Sequence, residues 1–91
     1  MRVIIRFSLN RDRKSELRNA LKPVLETHGI LWTGKTTGTY EGDVTETQIR
    51  KAVQSFWHTA ATYQGRAHVD HFWMYADQGA PRRATLEEMD L

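Results

Sequence analysis

The chain has 91 residues, 40% of them hydrophobic and 26% charged, with no cysteine and a formal net charge of +2. That length allows one domain with one modest core, and the absence of cysteine removes disulfides, zinc–thiolate sites and thiol chemistry, which fits a reducing, cytoplasmic setting. No apolar run approaches the roughly 18 residues of a membrane span, and no signal peptide precedes the first strand-like segment, so no membrane partner is expected.

Residues 1–9 are rich in β-branched and aromatic side chains and alternate: Val3, Ile5, Phe7 and Leu9 share one face, while Arg2, Ile4, Arg6 and Ser8 share the other. That spacing predicts a half-buried strand. Asn10 or Asp12 is placed to cap the helix that follows, whose apolar stripe is Leu17, Ala20, Leu21, Val24, Leu25 and His28. Pro23 predicts a kink, because it lacks the N–H that would reach the Asn19 carbonyl, and Gly29 is the natural stop. Ile30–Trp32 and Thr39–Glu41 read as the strands of a hairpin around Gly34 and Gly38. Thr45 and Gln48 form a capping box with Val44 and Ile49 as its hydrophobic staple, opening a helix striped by Ile49, Ala52, Val53, Phe56 and Ala60. Residues 59–66 read as a loop, and 67–76 as a strand with aromatic residues on both faces. Residues 77–91 read as a polar tail, flexible or docked on a partner subunit, in which Thr85–Glu88 is placed to cap a single helical turn.

The order β-α-β-β-α-β predicts a ferredoxin-like α+β sandwich over residues 1–76, a four-stranded antiparallel sheet with two helices on one face. The other face would carry Ile4 and Arg6 with either Val69, His71, Trp73 and Tyr75 or His68, Asp70, Phe72 and Met74. Alternation alone does not choose between these sets. An open face bearing aromatics is a partner site, and Ile4, Trp73 and Tyr75 are the residues expected at a homodimer interface. A stacking platform for unpaired bases, built from Trp32, Tyr40, Trp73 and Tyr75 with Arg2 and Arg6, is the alternative. Dimerisation is favoured here, since no basic–Gly–aromatic RNA-recognition run is present.

Charge is distributed unevenly: residues 1–22 carry a net +5 and the remainder −3. Arg6, Arg11, Arg13, Lys14 and Arg18 are therefore the expected phosphate contacts, against the plainer reading of a solvated helix face. Gly29–Thr36 spells the phosphate-loop pattern, but the motif needs a helix N-terminus directly after it and a strand follows instead, so it reads as a hairpin. His68, Asp70 and His71 invite a metal or acid–base reading. In an unbroken strand His68 and Asp70 share a face and His71 points away, so a site would need Glu41 or Asp43 as well.

The strand Val3–Phe7 running straight into the basic Arg11–Lys14, and Gly38–Gln48 running through an aromatic–acidic–Gly turn into the second helix, give the chain a further likeness. Over residues 1–76 the layout resembles the small ferredoxin-like nuclease-fold family of CRISPR spacer acquisition and the related VapD-type toxin ribonucleases. The resemblance implies a homodimer through the sheets, basic surfaces for RNA or DNA and, in nucleolytic members, an Asp at the end of the first strand holding a divalent cation. Here that place is Asn10, which lacks the charge that offsets dehydration of Mg²⁺.

The expected role is thus a small nucleic-acid-associated accessory or regulatory protein of mobile-element or toxin–antitoxin type, without a cofactor. One alternative is a nuclease using Mg²⁺ or Mn²⁺ with Asp12 and either His68 or Asp70. Another is a dimeric small-ligand enzyme or sensor with a cavity near His28, His68 and Trp73.

Overall fold

A computed structural model describes residues 1–35 and 38–77. The elements are β1 (Arg2–Asn10), α1 (Glu16–Thr27), β2 (Leu31–Trp32), β3 (Thr39–Asp43), α2 (Glu46–Thr62) and β4 (His68–Asp77). The strands form one antiparallel sheet in the order β2-β3-β1-β4, the ferredoxin-like α+β arrangement. In β1 the expected alternation holds: Val3, Ile5 and Phe7 are buried and Leu9 packs beside them, while Arg2, Arg6 and Ser8 are exposed. The buried side chains meet Leu17, Leu21 and Leu25 of α1 and Ile49, Ala52 and Phe56 of α2 in one core. Burying each such aliphatic side chain contributes about 1.5–3 kcal/mol.

Helix α1 passes through Pro23 without ending, as the uninterrupted stripe implied. It closes in a Schellman motif: Gly29 N–H donates to the Glu26 carbonyl at 3.0 Å and Ile30 N–H to the Leu25 carbonyl at 3.1 Å. Gly29 takes φ +84°, the left-handed conformation that this motif requires. At the start of α2 the capping box is complete. Gln48 N–H donates to Thr45 Oγ1 at 3.1 Å, and Thr45 N–H to Gln48 Oε1 at 2.8 Å. Both staple residues, Val44 and Ile49, are buried. Helix α2 runs four residues further than a loop from Thr59 would allow, to Thr62. The reason is local: Ala60 and Ala61 favour helix, and nothing breaks the chain before Gly65.

β2 and β3 pair through Leu31–Glu41 and Trp32–Tyr40, so the phosphate-loop lookalike is a hairpin. Strand β4 resolves the choice left by its sequence. Its register against β1 shifts between Ser8, opposite His71, and Leu9, opposite Val69, which leaves Asp70 as an extra residue in a β-bulge. Side chains therefore follow neither simple alternation. Phe72 and Val69 pack on the core with Phe7 and Leu9, while His71, Trp73 and Tyr75 stand with Ser8, Arg6 and Ile4 on the helix-free face. Among the described residues no helix is long and apolar enough to cross a membrane. Thr36 and Thr37 of the hairpin, and the tail from residue 78 with its possible turn at Thr85–Glu88, lie outside the described residues.

Candidate functional site

Two places in this framework gather chemistry, and β1 joins them. The first lies where β1 passes into α1. Arg11 and Ser15 both take left-handed backbone angles, φ 63° and 56°, so the five-residue loop wraps tightly around Asp12. The Asp12 carboxylate accepts from Leu17 N–H at 2.9 Å through Oδ1 and from Arg18 N–H at 3.1 Å through Oδ2. It is thus the side-chain cap of α1, a task for which Ser15 makes no bond. With the carboxylate turned inward, Arg11, Arg13 and Lys14 are left exposed.

These cations face a second loop. Arg11, Arg13, Lys14 and Glu16 form one wall of a groove of about 690 Å³, and Tyr63, Gly65, Arg66 and Ala67 the other. Tyr63 Oη donates to Glu16 Oε2 at 3.1 Å. Desolvation in that wall and the hydrogen bond to Glu16 hold the Tyr63 hydroxyl above the usual phenol range, so it stays a donor. Both carboxylates of the groove therefore already have partners. Among the described residues Arg11, Arg13, Lys14 and Arg66 pair with no carboxylate, so the groove has an excess of positive charge.

The second place is the helix-free face. Arg6 sits across from Trp73, its guanidinium carbon 5.4 Å from the ring centroid. Trp73 and Tyr75 stand two residues apart with rings 11° from parallel and centroids 6.4 Å apart. They are 50% and 45% exposed. Beside them a shallow hollow of about 340 Å³ is lined by Arg6, Ser8, Thr39, His71 and Trp73. Arg2 on this face is bound to Glu41, Nη2 to Oε2 at 3.3 Å.

Of the five cations singled out in the sequence, then, Arg11, Arg13 and Lys14 converge, Arg6 lies on the open face, and Arg18 does neither. Arg18 lines a separate hollow of about 240 Å³ with Asn19, Lys22, Trp32 and Tyr40. Its guanidinium stands 6.0 Å over the Phe7 ring. Tyr40 is buried, and Trp32 is 4.9 Å from the Lys22 ammonium on the β2 edge. Neither ring can join Trp73 and Tyr75 in one platform, because Tyr40 pairs opposite Ile5 and Trp32 opposite Tyr40, which puts both on the helix side of the sheet. Arg66 and Tyr63 were missed. Their only sequence signal is a loop before β4, and nothing local says which loop it meets.

The metal and cavity candidates are placed as plainly. Asp12 is engaged by two amides, His68 begins β4 with Nδ1 3.3 Å from the Arg66 carbonyl, and Asp70 occupies the bulge. The bulge brings Asp70 and His71 together, Oδ2 to Nε2 at 3.5 Å, where an unbroken strand would have turned them apart. Among the described residues no group of three or more His, Asp or Glu side chains is placed to hold a metal ion. His28 caps the C-terminal end of α1, whereas Trp73 stands on the helix-free face, so the cavity expected near His28, His68 and Trp73 has no common wall.

Asp12→Ala is expected to lose about 1–2 kcal/mol of stability, since two N–H groups at the start of α1 lose their acceptor. Chemical denaturation reads this directly; a neutral substitution would mean that the loop caps the helix another way. No family model matches the chain, and neither a curated protein nor a solved structure matches it.

Proposed function

We infer that this is a small nucleic-acid-binding accessory or regulatory protein that holds backbone phosphates in the groove between the β1–α1 and α2–β4 loops. One observation carries the reading: Arg11, Arg13, Lys14 and Arg66, drawn from two distant stretches of sequence, meet there with both local carboxylates already engaged. Guanidinium and ammonium groups pair strongly with phosphate oxygens, and each neutralised phosphate releases counterions. The amides at the start of α1 do not take part, because Asp12 occupies them. The same two bonds commit the Asp12 carboxylate to capping α1.

The test is fluorescence anisotropy with labelled RNA and DNA at about 50 and 200 mM salt. Wild-type affinity is expected to fall steeply between the two. Replacing Arg11, Arg13 and Lys14 together by alanine is expected to flatten the log–log salt slope by about two for a single strand, at 0.7 per lost phosphate contact. Binding that is absent, or indifferent to salt, would sink the reading.

A further inference from the structure

We propose that the nucleic acid is single-stranded and that its unpaired bases stack on Trp73 and Tyr75 of the helix-free face. The inference rests on the phosphate-binding reading of the groove and names the substrate class for it.

The register of β1 and β4 lines up one row of side chains. On the helix-free face it aligns Asn10 with His68, Ser8 with His71, Arg6 with Trp73 and Ile4 with Tyr75. The row runs directly into the groove, since Arg11 follows Asn10 and Arg66 lies just before β4. The cationic groove lies at the end of the two strands that carry the aromatic row, so β1 and β4 bear one strip of side chains that starts at the groove's edge. From Arg11 to Arg2 that strip spans about 30 Å at 3.3 Å per strand residue, a length suited to a single-strand site of several nucleotides.

The side chains in the strip suit unpaired bases. The two rings lie nearly parallel and about half exposed, and a base can stack on an exposed ring whatever its identity, here by displacing the Arg6 side chain that now lies over Trp73. In a duplex those base faces are already covered by neighbouring pairs, so the rings would have nothing to receive. Arg6 beside Trp73 places a cation where the backbone of a stacked strand would pass. The hollow next to it adds Ser8 and His71, both able to hydrogen-bond a base edge or sugar hydroxyl.

A second copy of this chain is the competing occupant of the face, and charge argues against it. Two-fold apposition would press Arg2 and Arg6 onto a surface whose Glu41 already accepts from Arg2 and whose Asp70 lies against His71. Among the described residues Arg6 pairs with no carboxylate, and the carboxylates that a second copy would bring to it, Glu41 and Asp70, already have Arg2 and His71 beside them. A charge taken out of water without a partner keeps its full desolvation cost. A phosphate backbone supplies the missing anion.

The experiment compares a fluorescein-labelled oligouridine of about 12 nucleotides with a duplex of equal length, by anisotropy. Wild type, Trp73→Ala, Tyr75→Ala and the Arg13→Ala/Lys14→Ala pair are each measured, with circular dichroism melts to verify folding. The proposal expects the wild type to prefer the single strand, each ring removal to weaken it by about ten-fold, and duplex binding to change by less than about two-fold. The Arg13/Lys14 pair should weaken both probes. If ring removal leaves single-strand affinity unchanged while the Arg13/Lys14 pair lowers it, the platform falls and the phosphate groove stands. If no probe binds in a salt-dependent way, the groove reading falls and takes the platform with it. If the wild type sediments as a dimer and Trp73→Ala as a monomer, the face belongs to a second copy and the platform is overturned.

Discussion

Phe56→Ala is expected to remove about 3–5 kcal/mol of folding free energy, the upper range for truncating a single core side chain. Phe56 is fully buried at the middle of α2 and is the hub of the aromatic core. Its ring meets Phe7 of β1 edge-on at 5.1 Å and Phe72 of β4 at 5.1 Å, with Trp57 at 5.2 Å. Truncation therefore loosens α2 from two neighbouring strands at once and leaves a cavity that rigid strands cannot close. A domain of this size has about 5–14 kcal/mol in total, so the variant should be near its folding limit. Urea denaturation should show the midpoint falling sharply at unchanged slope. Phe56→Leu, which keeps most of the volume, provides a folded comparator and should cost about 1–1.5 kcal/mol. A loss below about 1 kcal/mol for the alanine variant would mean that α2 is not seated on Phe7 and Phe72.

Gly42→Ala is the second large effect, and its cause is backbone crowding rather than a void. Gly42 lies in β3 opposite Val3. A Cβ there would stand 2.2 Å from the Gly29 carbonyl oxygen and 3.1 Å from the Ile30 Cα. Both are main-chain atoms, and the Gly29 segment is itself held by the Schellman bonds that end α1. Neither side can yield without breaking pairing, so a loss of about 3 kcal/mol or more is expected. In a thermal melt this corresponds to a drop of roughly 10–20 °C. Gly29→Ala makes the contrast: its Cβ would meet only the Val44 Cγ1, at 2.9 Å, which a side chain can relieve. There the left-handed φ sets the cost, about 1–2 kcal/mol. Equal losses at the two positions would contradict the close approach of β3 to the end of α1.

The site and the stability of the fold are linked through β1. Its core-facing residues Val3, Ile5 and Phe7 hold the sheet to the helices, while the intervening Arg6 and Ser8 face the aromatic pair and its C-terminal end delivers Arg11 to the groove. A substitution such as Phe56→Ala would thus disturb the groove and the open face indirectly, whereas Trp73→Ala and Lys14→Ala alter exposed groups and leave the core intact.

Much of this was legible in the residues themselves, because it is local physics. The alternation of Val3, Ile5 and Phe7, the Thr45–Gln48 capping box and the stop at Gly29 each depend on neighbours a few positions away. So did the basic character of Arg11, Arg13 and Lys14, and even Asp12 as a possible cap. Together these elements determined the β-α-β-β-α-β order and hence the ferredoxin-like sheet. Tertiary structure decided what pairing between distant segments controls. The bulge at Asp70 exists only in the match of β4 to β1, and it sends Phe72 inward and Trp73 outward where alternation left two choices. Arg66 joins Arg11 and Lys14 because the sheet brings the start of β4 beside the end of β1, a proximity with no trace in either loop. The capping bonds turn Asp12 inward and leave three cations exposed. Composition and periodicity set which groups were present; long-range strand register set which of them meet.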